Sequence, residues 1–214
     1  MQTMYSFLKA IDPNLALRSN DHRTGYVSDL VFKHFDATLM LLLPIGNMKD
    51  TFSWADLAAK HHYSLVEVSQ NPQLLETIDT GSKLHFAEGV INSEVYLSQL
   101  TATLADFSEY ESWHGIFWSG YAEYAEQAHL IGPVDSFLRP EEYTLREFSS
   151  RKLTSALNSR LPSLLFNSSI SCVLTQPIYS DRIYVSCHKR IALALSDKLP
   201  DVLPVTAEDS LPNF

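Results

Sequence analysis

The 214-residue chain is 45% hydrophobic and 19% charged, a balance that suits a folded protein and excludes a disordered one. Its two cysteines, Cys172 and Cys187, exclude a disulfide framework and a four-thiolate zinc site. The formal charge of −9 resides in the middle, because residues 84–138 hold eight carboxylates and no lysine or arginine, while bases and acids nearly balance on either side. Such a segment repels phosphate, so it disfavours nucleic acid and anionic membranes and invites a protein partner.

Residues 1–11 lack a basic stretch followed by a long apolar one, so no secretory signal is expected. The longest apolar run, 39–45, is interrupted by Pro44 and falls far short of the roughly 20 residues a bilayer span needs. A cytoplasmic protein with no membrane partner is the expectation. Tyr26, Leu30, Val31, His34, Phe35, Thr38, Leu39 and Leu42 recur at helical spacing and predict a helix over 24–42, stopped by Pro44 and Gly46. Ser53, with Asp56 three residues on, predicts the start of a second helix running to about His62. Ser64 caps a third that carries Leu65, Val66 and Val68, and Asn71 and Pro72 interrupt or restart it. After a turn at 79–82, residues 83–87 and 90–97 pair as a hairpin around Glu88 and Gly89.

This order of helices and hairpin resembles a winged helix-turn-helix over about 75 residues, at the level of fold. His62 departs from the pattern, standing where the turn of that family usually has glycine. The alternative is a plain helical bundle in which 90–104 is helical.

Leu104, Phe107, Tyr110, His114, Phe117, Tyr121 and Tyr124 predict a long helix over 101–130, ended by Gly132 and Pro133. Pro140, Glu141 and Glu142 open a further helix through Leu145, Phe148, Leu153, Leu157 and Leu161, with Arg139, Arg146, Arg151, Lys152 and Arg160 on it. Segments 168–173 and 182–187 form a hairpin with Cys172 facing Cys187 at a separation a disulfide could bridge; in a reducing cytosol they act as packing residues. A short helix over 191–198 and an extended tail over 200–214 complete the chain. The expected fold class is α+β and helix-rich, with a winged-helix-like N-terminal half, long helices and a C-terminal β-hairpin. The expected domains are 1–100, 101–199 and the tail.

No motif names a reaction: nucleophile elbow, phosphate loop and dinucleotide fingerprint are all absent from the sequence. The first functional expectation is therefore a non-enzymatic docking module, an accessory subunit or inhibitor, without a cofactor. Glu109, Glu111, Trp113, Trp118, Glu123 and Glu126 are the candidate partner-binding residues, since the two tryptophans lie off the aromatic stripe that would pack a helix. A second expectation is a DNA-binding regulator, a homodimer, touching DNA through Lys49, Lys60, Gln70, Asn71, Gln73 and Lys83. The absence of bases from 64–78 counts against it. A third is a metal-dependent enzyme using the Glu-x-x-His pairs Glu111 with His114 and Glu126 with His129. On one helix those pairs would lie about 22 Å apart along the axis, too far to share an ion.

Overall fold

The computed structural model describes residues 27, 30–32, 34–46, 50–76, 84–86, 89–108, 110–118, 143–158, 160–177 and 180–210, with the side chains of 118 and 143–145 excepted. In chain order these form β1 (Ala37–Leu42), β2 (Ile45–Gly46), β3 (Thr51–Phe52), α1 (Trp54–Lys60), α2 (Leu65–Gln70), α3 (Gln73–Glu76), α4 (Glu94–Asp106), β4 (Ser112–Trp118) and β5 (Tyr143–Ser149). A 3-10 turn (Ser150–Lys152) leads to α5 (Leu153–Leu157), β6 (Leu164–Asn167), β7 (Cys172–Thr175), β8 (Arg182–Cys187), α6 (Lys189–Lys198) and β9 (Val202–Pro204).

Seven of the strands make one antiparallel sheet in the order β5-β4-β6-β7-β8-β1-β9. The molecule is thus sheet-rich with mostly short helices, which overturns the helix-rich expectation with its long helices. The winged-helix reading falls with it, since 94–106 is helix α4 and supplies no wing. The sheet takes β1 from the first hundred residues and six strands from beyond them.

Each misread segment has a physical cause. β1 lies between β8 and β9 with helices on both faces, so Leu39 and Leu41 enter one core while Met40 and Leu42 enter the other; a strand buried on both faces shows no alternation and reads as a helix. The predicted helix over 101–130 ends at Asp106, and β4 begins at Ser112. Phe107 caps the helix and Tyr110 sits in the following turn, so their spacing to His114 and Phe117 mixes three conformations. The first part of the predicted helix after Pro140 is strand β5 over residues 143–149, paired along its length with β4, while Leu153–Leu157 within it is helical, as α5. Within the expected extended tail, Val202–Pro204 pairs with β1.

One face of the sheet is covered by α4, α5 and α6, whose Leu97, Leu100, Leu104, Leu153, Leu157, Ile191 and Leu195 join Leu39, Leu41, Trp113, Leu174 and Val185 in one core. At the β1 end the opposite face carries a second core of Met40, Leu42, Trp54, Leu57, Val68, Leu75 and Tyr184, supplied by α1, α2 and α3. The short helices owe their starts to local caps. The Ser53 hydroxyl accepts from the Asp56 N–H at 3.0 Å, and Ser64 and Glu67 form a reciprocal capping box. His62 takes the left-handed conformation, φ 62°, that usually calls for glycine. β7 and β8 pair with Cys172 opposite Cys187, inside the sheet rather than beside a bundle.

Candidate functional site

Among the described residues, the exposed part of the base-free segment centres on the turn that joins α4 to β4. α4 starts where the Ser93 hydroxyl accepts from the Tyr96 N–H at 3.2 Å and ends at Phe107, whose N–H reaches the Leu104 carbonyl. Its buried stripe is Tyr96, Leu97, Leu100 and Leu104; its outer face presents Val95, Ser98, Gln99, Ala102 and Asp106 at helical spacing, with no base among them. Val95 is 68% exposed, and Asp106 receives Lys198 of α6 at 3.0 Å. Beyond α4, Tyr110 stands 92% exposed, more than any other large apolar residue among the described ones.

The turn beneath Tyr110 is fastened from both sides. Glu111 points inward, its Oε2 accepting from Asn167 Nδ2 at 2.7 Å and from the Ser169 N–H at 3.0 Å. Asn167, itself buried, accepts through Oδ1 from the Ser171 and Cys172 N–H groups and donates through Nδ2 to the Ser169 and Ser171 hydroxyls. On the other side the Ser108 hydroxyl accepts from Trp113 Nε1 at 2.8 Å, and the Ser150 hydroxyl donates to the Ser108 carbonyl. Polar groups that would cost free energy if buried alone are all satisfied here.

The structure places the expected partner-binding residues in different roles. Trp113 is 1% exposed and belongs to the core, so it is not a surface anchor. Glu111 is a structural clamp, and Trp118 is the last residue of β4. Glu109, Glu123 and Glu126 lie outside the described residues, as does His129. Tyr110 reads in the sequence as part of the packing stripe of a helix, and Asn167 is not singled out there; the Asn167, Ser168, Ser169 run is a turn signal that could have marked the second.

The Glu-x-x-His pair at Glu111 and His114 does not converge, because on an extended chain a three-residue spacing sends side chains to opposite faces. His114 stacks on Phe166 with ring centres 5.3 Å apart, and its Nε2 lies 3.3 Å from the Ser168 hydroxyl. Burial pushes its pKa below the usual imidazole value, against an opposing pull from the Glu147 carboxylate. Among the described residues no group of three or more His, Cys, Asp or Glu side chains is placed to hold a metal ion. Of the expected DNA contacts, Lys60 ends α1, Gln70 ends α2, Asn71 caps α2 and Gln73 opens α3, while Lys49 and Lys83 lie outside the described residues.

A cavity of about 260 Å³ lies between α2 and β9, lined by Met40, Val66, Gln70, Tyr184, Leu203 and Val205 among others. Burial pushes the Tyr184 phenol up to about 12. The neighbouring Arg182 is buried with its Nε donating to Asp181 at 2.7 Å and its Nη1 to the Ser69 carbonyl at 3.0 Å, so this guanidinium works as a structural tie. No described helix is long and apolar enough to cross a membrane.

No protein-family model matches the chain, and neither a curated protein nor a solved structure matches it.

Proposed function

We propose that the chain is a non-enzymatic docking protein, an accessory subunit or inhibitor, that binds a basic surface of a protein partner through its base-free segment. Tyr110 carries this reading, as an almost fully exposed aromatic on a turn held rigid by Glu111 and Asn167. A turn held by its neighbours before binding needs little further ordering of its backbone on docking, and tyrosine is among the residues that dominate interface energetics. The outer face of α4 runs up to that turn with Val95, Gln99, Ala102 and Asp106. Eight carboxylates without a base in 84–138 select a partner surface of opposite charge and steer its approach.

Strand addition at β9 is an unfavourable mode of docking. The Leu42 N–H bonds the Asp201 carbonyl and the Val205 N–H bonds the Thr38 carbonyl, which leaves Val202 and Pro204 directed outward. Pro204 has no N–H to offer an incoming strand.

The test is native mass spectrometry of the chain isolated gently from its own cells, beside a Tyr110→Ser variant, at low and raised salt. The expected result is a stoichiometric protein partner that dissociates as salt rises and is lost from the variant while its melting temperature holds. An unaccompanied chain, a second copy alone, or equal capture by the variant overturns the reading.

A further inference from the structure

Cys172 and Cys187 lie directly opposite each other on the neighbouring antiparallel strands β7 and β8, both free and both buried. The His188 N–H bonds the Ser171 carbonyl at 3.1 Å, which makes the adjacent pair, Cys172 with Cys187, a non-hydrogen-bonded one. The Cys172 N–H agrees, turning away from β8 to Asn167 Oδ1 at 3.1 Å. In such a pair the α-carbons stand about 4.5 Å apart and the side chains share one face, within the range of about 4.4 to 6.8 Å that a disulfide spans.

We infer that Cys172 and Cys187 are an intramolecular modification site, an oxidisable dithiol that closes into a cross-strand disulfide by exchange with a small disulfide of the oxidised-glutathione type. One protein thiol gives up its proton, and its thiolate attacks the glutathione disulfide. A glutathione thiolate leaves, and a mixed disulfide forms. The second protein thiol, deprotonated in turn, displaces the remaining glutathione. Two protein thiols and one oxidised glutathione become one protein disulfide and two reduced glutathiones; each protein sulfur loses one electron.

Both cysteines are buried, so a small disulfide reaches their sulfurs only when the fold opens locally, and the 168–171 turn adjoins Cys172. Ile170 there holds φ 57°, a left-handed conformation costly for a β-branched residue, and the Asn167 side chain holds the turn shut through the Ser171 and Cys172 N–H groups. Burial also pushes the Cys172 thiol up, which lowers its thiolate fraction. Closure is therefore slow and gated by local opening, and once made it ties two central strands of the sheet beneath α6.

The experiment equilibrates the full chain in a series of reduced-to-oxidised glutathione ratios, once under native conditions and once in denaturant, followed by an acid quench and intact-mass and peptide analysis. The native fold holds the sulfurs together, whereas in the unfolded chain fourteen residues separate them. The native chain should thus favour the linked form, two mass units lighter, by about tenfold or more over the unfolded chain. The Asn167→Ala variant should reach the same kind of link faster. An equal or smaller preference in the native chain overturns the inference, as do glutathione adducts or intermolecular dimers in place of the Cys172 to Cys187 link.

Discussion

Glu111 Oε2 accepts from Asn167 Nδ2 at 2.7 Å, joining the turn after α4 to the turn between β6 and β7 across 56 residues of sequence. One side chain from each turn thus fixes the other, and the exposed Tyr110 and the buried Cys172 sit one residue and five residues away from that contact.

Replacing Asn167 by Ala removes two acceptances at Oδ1 and the donations by which the two Nδ2 hydrogens serve Glu111, Ser169 and Ser171, and it leaves the Cys172 N–H without its acceptor. The expected cost is about 3 kcal/mol in urea unfolding, toward the upper end for an unsatisfied buried polar site. A change within about 0.5 kcal/mol would mean that the turn reforms without it.

What the sequence discloses here is what local chemistry decides. Ser53 with Asp56 and Ser64 with Glu67 mark two helix starts because a cap is made by residues three apart. The Cys172 and Cys187 register is likewise set by two short neighbouring strands. Strand β1 is not legible, because Leu39 and Met40 are both buried by partners far off in the chain, Val185 and Tyr184 among them. The same holds for β4, whose His114 and Phe117 follow helical spacing by coincidence while the strand pairs with β5 and β6. Of the candidate site, the missing bases are visible in composition, whereas the exposure of Tyr110 and the inward turn of Glu111 depend on tertiary packing.

His114 should make the fold acid-sensitive. Its pKa is depressed in the folded chain by burial, so the native state prefers the neutral ring. The stability this group contributes is full above the unfolded value near pH 6.5 and is lost as pH falls through the lower folded value. The melting temperature of the natural chain should therefore drop more between about pH 7 and pH 5 than that of His114→Gln. Parallel curves for the two would assign the acid sensitivity elsewhere.

Asp201 carries the opposite slope. Its carboxylate is buried and its pKa raised by that burial, against the lowering effect of the Ala55 and Trp54 N–H groups and the Ser53 hydroxyl at the start of α1. A carboxyl held above its unfolded value binds its proton more tightly when folded, so stability falls as pH climbs from about 4 through the folded value. Asp201→Asn keeps an oxygen for the Ala55 N–H, which Oδ1 now accepts at 2.8 Å, and should flatten that decline. Unfolding midpoints measured across the acid range compare the two chains, and an unchanged slope in the variant would show that Asp201 is not its source.

Gly115 is required by its neighbours' rings rather than by its own backbone. A β-carbon there would meet Phe117 Cε2 at 2.7 Å and Phe148 Cε1 at 3.4 Å, and the Phe117 ring has little room to retreat because it is buried and the Arg146 guanidinium lies 5.4 Å from its centre. Gly115→Ala should cost about 1 to 3 kcal/mol, the range for overpacking a filled core. If the ring is the obstacle, shortening it must relieve the strain, so Gly115→Ala combined with Phe117→Leu should cost less than the two changes added together, by about 0.5 kcal/mol or more. Urea unfolding of the natural chain, both single variants and the double variant measures that coupling. Strict additivity would place the cost of the alanine outside the contact with Phe117.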